Sequence, residues 1–254
     1  MHFKNIYLRS FRIFLFPIAF LHGLVILIRN LLYDKNVIKS VEFNIPIICV
    51  GNISVGGTGK SPMVEYLAGL LKKQYTVATL SRGYKRRTSG YVLANENSTA
   101  IEIGDEPMQF HKKHPDISVA VGEKRIEAIP QLLYDNPEIK VIILDDAFQH
   151  REIHAGFNIV LTEYSNLYTR DFFLPTGDLR DQRSSIERAN IIVVTKCPMR
   201  LSEHEKFHIL KELNAAPQQK IFFTGIHYDT PYHIITGEKL MLKKEMEILL
   251  VCGI

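Results

Sequence analysis

No two cysteines of this chain lie close enough to form a C-x-x-C pair. The three present, Cys49, Cys197 and Cys252, are far apart and odd in number. That spacing argues against a disulfide framework and against a zinc site, and reads as buried thiols in a reducing compartment. A strong charge of one sign is missing too. The net charge is +4, too mild to call for a nucleic-acid partner by itself, and none is expected. There is no internal repeat and no low-complexity segment. No A-x-A-like cleavage site follows the apolar N-terminal run, which argues against a removed signal peptide. His111 and His114 share a helix face at a spacing unlike that of the common zinc pairs, and no H-E-x-x-H zinc pattern is expected.

The 254 residues are 46% hydrophobic and 23% charged, an ordinary globular balance. That is enough for one large domain, or one domain and part of another. Residues 13–28, IFLFPIAFLHGLVILI, carry no charge and are bounded by Arg12 and Arg29. As a straight helix the run spans about 24 Å, short of the roughly 30 Å of a bilayer's hydrocarbon core. Pro17 and Gly23 weaken it further as one span. Basic residues flank both ends, so charge asymmetry gives no orientation. The expectation is a helical anchor lying in or dipping into an anionic membrane surface. A buried core helix and a true span are the alternatives.

After residue 40 short β-branched runs alternate with helical patterns. Strands are expected at 45–50, 75–80, 117–121, 141–144, 158–161 and 191–195, and helices at 62–73, 123–134 and 202–213. Continuous apolar strands with helical crossovers predict a mostly parallel, doubly wound α/β sheet covered on both faces. From about Lys220 the texture changes, and the chain stops at EILLVCGI (247–254), which reads as a buried strand running into glycine. The expected division is an N-terminal membrane-associated helix at 1–40, a P-loop NTPase-like domain at 41–218, and a connector with the start of a second, smaller lobe at 219–254. Ending in mid-pattern, the chain is expected to continue in the natural protein.

Four motifs carry the chemistry. Residues 47–62, IICVGNISVGGTGKSP, are a strand, a glycine-rich turn and a helix start. Gly56, Gly57 and Gly59 permit positive φ and close approach of backbone N–H groups to an anion. Lys60 then reaches the β/γ phosphates, Ser61 ligates Mg²⁺, and the helix N-terminus favours the phosphate. Ser54 stands where the common pattern has its first glycine. Second, VIILDDAFQHR (141–151) delivers Asp145 and Asp146 at a strand's C-terminal end, where parallel sheets bind ligands and where a carboxylate can hold Mg²⁺. Third, Gly104-Asp105-Glu106-Pro107 is either a helix start capped by Asp105 or a carboxylate pair, one acid accepting the proton of an attacking hydroxyl. Fourth, IIVVTKCP (191–198) ends a strand in Thr-Lys, but Pro198 replaces the aspartate that would read guanine. Lys85-Arg86-Arg87 is either a phosphate contact or a solvated loop, and His150 either touches phosphate or substrate or packs under a loop.

In combination these segments resemble the tetraacyldisaccharide 4′-kinase (lipid A 4′-kinase) family of Gram-negative bacteria. The matching stretches are VGNISVGGTGKSP (50–62), LSRGYKRR (80–87), IGDEP (103–107), ILDDAFQHR (143–151), LPTGDLRD (174–181) and VVTK (193–196). The unusual leading serine matches the family's loop. The resemblance implies transfer of the ATP γ-phosphate to the 4′-hydroxyl of a tetraacyldisaccharide 1-phosphate, a lipid A precursor. It implies ATP and Mg²⁺ as cofactors and a monomer at the cytoplasmic face of the inner membrane. By the same resemblance Ser54, Val55, Gly56, Gly57, Thr58, Gly59, Lys60 and Ser61 cradle phosphates, with Glu106, Gln149 and His150 beside them. Asp145 and Asp146, with Ser61, form the metal set, and Asp105 is the base acting with Lys60. The family continues beyond Gly253-Ile254 with a D-H motif that assists the base. ATP binding is therefore expected to survive in part, and turnover by these residues alone to be weak or absent. The alternative is a membrane-associated P-loop nucleotide switch or chaperone without a lipid acceptor. The missing guanine-reading aspartate and the GDEP segment both count against it.

Overall fold

The computed structural model describes residues 12–227, 229–233, 236–243 and 245–249. The β-branched runs form strands, because their side chains pack well on a pleated surface buried on both faces. In chain order these are β1 Ile47–Gly51, β2 Val77–Ser81, β3 Val92–Leu93, β4 Ser118–Val121, β5 Val141–Asp145, β6 Phe157–Glu163, β7 Ile191–Cys197 and β8 Lys220–Gly225. The helices are α1 Phe16–Asp34, α2 Lys60–Leu71, α3 Ala100–Ile103, α4 Asp105–Lys113, α5 Arg125–Asp135 and α6 Glu203–Leu213. One eight-stranded sheet has the order β3-β4-β2-β5-β1-β6-β7-β8. Every pairing is parallel except β3 with β4.

Alternate residues of the strands feed two cores. One face holds Ile47, Cys49, Leu80, Ile142, Leu144, Val160, Ile192 and Val194, with Ile129 and Leu132 of α5 and Ile209 and Leu213 of α6. The other holds Val50, Val77, Val119, Ile143, Leu161 and Val193, with Val64 and Ala68 of α2. Burial of each such aliphatic side chain contributes roughly 1.5–3 kcal/mol. The doubly wound parallel sheet predicted from the sequence is therefore present. β8 pairs in parallel with β7, so the main sheet reaches into the segment assigned to the connector. The strand expected at 247–254 does not form at Glu247–Leu249, and residues 250–254, with Cys252, lie outside the described residues. Cys49 and Cys197 are buried free thiols, and burial pushes Cys49 up to about 12.

The register sets the site. Val50 lies opposite Asp145 and Gly51 opposite Val160, so the ends of β1 and β5 stand side by side. Gly51 has to be glycine: a Cβ there would sit 2.5 Å from Cβ of Phe148, in the turn that follows β5.

Helix α1 departs from expectation in two ways. Pro17 lies in its first turn, where a missing N–H costs little, so it starts the helix instead of breaking it. The helix also runs on past Ile28 to Asp34, and Ile13–Asp34 is long and apolar enough to cross a membrane by length and composition alone. Ala19, Gly23 and Asn30 mark the face turned to the protein. Gly23 lets the ring of Phe173 approach, since a Cβ would lie 2.9 Å from it. The buried-core-helix reading fails: Phe14, Phe20, Leu21, Val25 and Ile28 are all half or more exposed.

Candidate active site

The turn after β1 is held by its own residues and by a distant segment. Asn52 Nδ2 donates to Thr58 Oγ1 at 2.9 Å, and Thr58 N–H donates to Gly56 C=O at 3.0 Å. Val55 N–H donates to Asp178 C=O at 2.7 Å and Arg180 N–H to Ile53 C=O at 2.9 Å, with Ser54 bridged to Leu179 in antiparallel fashion. Ser54 is thus fixed by strand-like pairing, and the position does not need a glycine. The left-handed backbone falls on Gly56 (φ 112°) and Gly59 (φ 88°), not on Gly57. Gly59 ends the turn, and Lys60 and Ser61 open α2, where unpaired backbone N–H groups and the helix dipole favour an anion.

Acids converge on that helix start. Lys60 Nζ is 3.8 Å from Asp146 Oδ1. Ser61 Oγ donates to Glu106 Oε1 at 2.9 Å, which ties the turn to the first turn of α4. There Gly104 (φ 94°), not Asp105, occupies the cap position, and Asp105 and Glu106 both lie in the first turn. Asp105 is exposed beside Glu106. Lys60 loses proton affinity through burial, opposed by Asp146.

Asp145 and Asp146 live in different surroundings. Asp145 is 4% exposed and its Oδ1 has no hydrogen-bond partner. Burial, then the charges of Glu106 and Asp146, push its pKa up to about 7. Asp146, just past the end of β5, has a left-handed backbone (φ 49°). Burial raises its pKa as well, but the hydrogen bond and charge of Arg180, with Lys60, outweigh burial and hold it below the ordinary carboxylate value. Arg180 grips both Asp146 oxygens, Nη1 to Oδ2 at 3.1 Å and Nη2 to Oδ1, and also reaches Asn52 C=O at 3.2 Å. A buried, unpartnered carboxylate oxygen at the C-terminal end of β5 suits Mg²⁺, which takes one or two carboxylates and keeps oxygen ligands from phosphate and water. Among the described residues no group of three or more His, Cys, Asp or Glu side chains could hold a metal by itself.

The raised Asp145 pKa gives a stability prediction. Below about pH 4 both folded and unfolded states carry its proton. Between the ordinary value of 3.8 and about 7 only the folded state keeps it, so stability falls as pH rises through that window and levels off above it. Asp145→Asn, the shape of the neutral acid, therefore raises Tm at pH 8 in nucleotide- and magnesium-free buffer. It leaves Tm unchanged near pH 4, as differential scanning fluorimetry would show.

Gln149 and His150 differ from each other. Gln149 Nε2 donates to Asn52 C=O at 2.6 Å, and Gln149 C=O accepts from Arg29 of α1 at 2.7 Å. His150 Nδ1 stands 3.5 Å from Glu152, and burial, then Arg125, lower its pKa. Thr195 does not mark a base-reading element; its hydroxyl donates to Thr58 C=O at 2.8 Å and buttresses the turn. Of the basic trio, Arg86 is buried against Glu123 at 2.6 Å and is not free for phosphate, whereas Lys85 and Arg87 are exposed.

Four residues of the site were not picked out from the sequence: Asn52, Arg125, Arg180 and Arg29. Arg125 is fully buried and donates to Gly122 C=O and, at 3.3 Å, to Asp145 C=O. The signal for Arg180 was its place in LPTGDLRD. The expectation that no H-E-x-x-H pattern is present is wrong: the string His204-Glu205-Lys206-Phe207-His208 on α6 is one.

Comparison with known proteins follows the same lines. The family model LpxK, tetraacyldisaccharide-1-P 4′-kinase, matches residues 11–254. The tetraacyldisaccharide 4′-kinase of Flavobacterium johnsoniae is 53% identical over 239 residues, 93% of this chain and 70% of the relative. That of Flavobacterium psychrophilum is 49% identical over 245 residues, 94% of this chain and 71% of the relative. The crystal structure of LpxK from Aquifex aeolicus in complex with ATP superposes with a TM-score of 0.67 at 32% identity, covering 90% of this chain and 86% of that one.

Proposed function

Because the chain belongs to the tetraacyldisaccharide-1-phosphate 4′-kinase family, we propose that its glycine-rich turn and the acids facing it carry ATP-dependent phosphorylation of the 4′-hydroxyl of a tetraacyldisaccharide 1-phosphate. The observation that carries the assignment of residues is the convergence of Lys60, Ser61, Glu106, Asp145 and Asp146 at the C-terminal edge of the sheet. The backbone from Ser54 to Ser61 cradles the phosphates, and Lys60 neutralises charge that builds on the transferring group. Ser61 and Asp145 would hold Mg²⁺, which draws charge from the phosphate oxygens when bound. Asp146 stays ionised in the grip of Arg180 and Lys60 and shapes the field around them. Asp105, exposed at the start of α4, accepts the proton of the attacking hydroxyl, and Glu106 orients Ser61. The switch reading leaves Asp105 without a task.

The exposed apolar side of α1, between Arg12 and Arg29, supports docking on the cytoplasmic face of the inner membrane, where a substrate with long acyl chains resides. The bonds from Arg29 to Gln149 and from Gln149 to Asn52 run from that helix to the phosphate turn.

Transfer of label from γ-labelled ATP to a tetraacyldisaccharide 1-phosphate, read by thin-layer chromatography, tests the reading. Weak labelling that requires Mg²⁺ is expected, together with Mg²⁺-dependent ATP binding. Failure both to label the lipid and to bind ATP in the presence of Mg²⁺, with the Flavobacterium johnsoniae enzyme active alongside, would overturn it for this chain. Arg180 acts through Asp146 and Asn52. Arg180→Ala should raise KM for ATP about tenfold, the worth of one charge-assisted hydrogen bond. Arg180→Lys should recover only part, because an ammonium cannot reproduce the fork.

A further inference from the structure

Away from the phosphate turn, His204 and His208 lie one helical turn apart on α6, both exposed. Their Nε2 atoms are 3.0 Å apart and the ring centroids 4.3 Å. Among the described residues, the hydrogen-bond partner of each Nε2 is the other Nε2, while the neighbouring carboxylates are engaged elsewhere. Glu203 pairs with Lys206 at 2.6 Å, and Glu212 with Arg170. Glu205 caps the helix by accepting from Ser202 N–H at 3.0 Å and also accepts from Tyr164 Oη at 3.1 Å. The helix is seated on the core by Ile209 and Leu213, so the pair is held on a firm base.

We propose that His204 and His208 form a two-imidazole chelate for a divalent transition metal of the nickel, copper or zinc type. An ion about 2.05 Å from both nitrogens, an ordinary metal–imidazole distance, subtends an angle of about 94° at their present separation. That angle fits adjacent corners of a square-planar or octahedral ion such as Ni²⁺ or Cu²⁺, and small ring movements open it to the tetrahedral angle of zinc. Water fills the other positions. The string HEKFH matches the sequence pattern of zinc hydrolases, but the structure separates binding from that chemistry. The hydrogen bonds of Glu205 go to Ser202 and Tyr164 and not to the histidines, and among the described residues no third His, Cys, Asp or Glu completes a metal-holding group. The site is a metal-binding site without a general base.

Isothermal titration of the full 254-residue chain with Ni²⁺, in buffer containing excess Mg²⁺, tests this. Mg²⁺ prefers oxygen ligands and should not compete. Each single variant, His204→Ala or His208→Ala, should lose one Ni²⁺-binding event or weaken it at least about tenfold, because chelation needs both rings. Glu205→Gln should leave Ni²⁺ affinity unchanged. Circular dichroism should report intact helix in all three, since both histidines are exposed. Unchanged Ni²⁺ binding in the His204→Ala, His208→Ala double variant would overturn the proposal, and so would a large loss on Glu205→Gln with the fold intact.

Discussion

Lys60→Ala is expected to lower phosphate transfer by about a hundred- to a thousandfold, the range for removal of one preorganised charge from a transition state. It should also remove most magnesium-dependent nucleotide binding. The reason is geometric. Lys60 is the first residue of α2, held at the helix start by the left-handed Gly59 before it, and its ammonium already faces Asp146 at 3.8 Å. Partial burial strips it of water, so its charge acts at close range on a phosphate. Replacing it leaves Asp145 and Asp146 facing the phosphates with one counter-charge fewer, and anions then repel anions. Lys60→Arg keeps the charge but not the reach, and should rescue little. Radiolabel transfer with the tetraacyldisaccharide acceptor, run beside nucleotide titration, separates the two effects.

Asp105→Asn should give the second large loss, about a hundred- to ten-thousandfold in transfer, with ATP binding kept. Asp105 lies in the first turn of α4 and is exposed, on the same turn as Glu106, whose carboxylate holds Ser61. The amide preserves size and the capped helix start, so folding is unaffected, but it cannot take a proton. The variant should therefore keep Kd for nucleotide and lose kcat. Equal loss of both would mean that Asp105 only shapes the turn.

The parallel sheet was legible because each buried strand is a short apolar run bounded by polar turns, and the observed ends differ from the expected ones by no more than two residues at most positions. The phosphate turn was legible for the same reason: local spacing alone places Gly59, Lys60 and Ser61 at a helix start. What stayed hidden depends on distance along the chain. Arg180 reaches Asp146 from 34 residues away, and nothing local to either announces the pair. The pairing that fixes Ser54 comes from Leu179, in a segment with no long helix or strand. β8 has an ordinary strand pattern, but which strand it would join is a matter of topology. The two-residue β3 is too short for any periodic signal. Helix α1 was expected to be weakened by Pro17 and Gly23, yet one opens the helix and the other meets Phe173. Both residues suit packing and helix entry, and pattern alone does not distinguish these uses from disruption.

Calorimetric titration of the purified chain with ATP, with and without Mg²⁺, addresses the central claim most directly. Saturable, magnesium-dependent uptake that Lys60→Ala abolishes is the predicted outcome. Heat independent of magnesium, or equal in the wild type and in Lys60→Ala, would place the nucleotide somewhere other than the turn between Ser54 and Ser61.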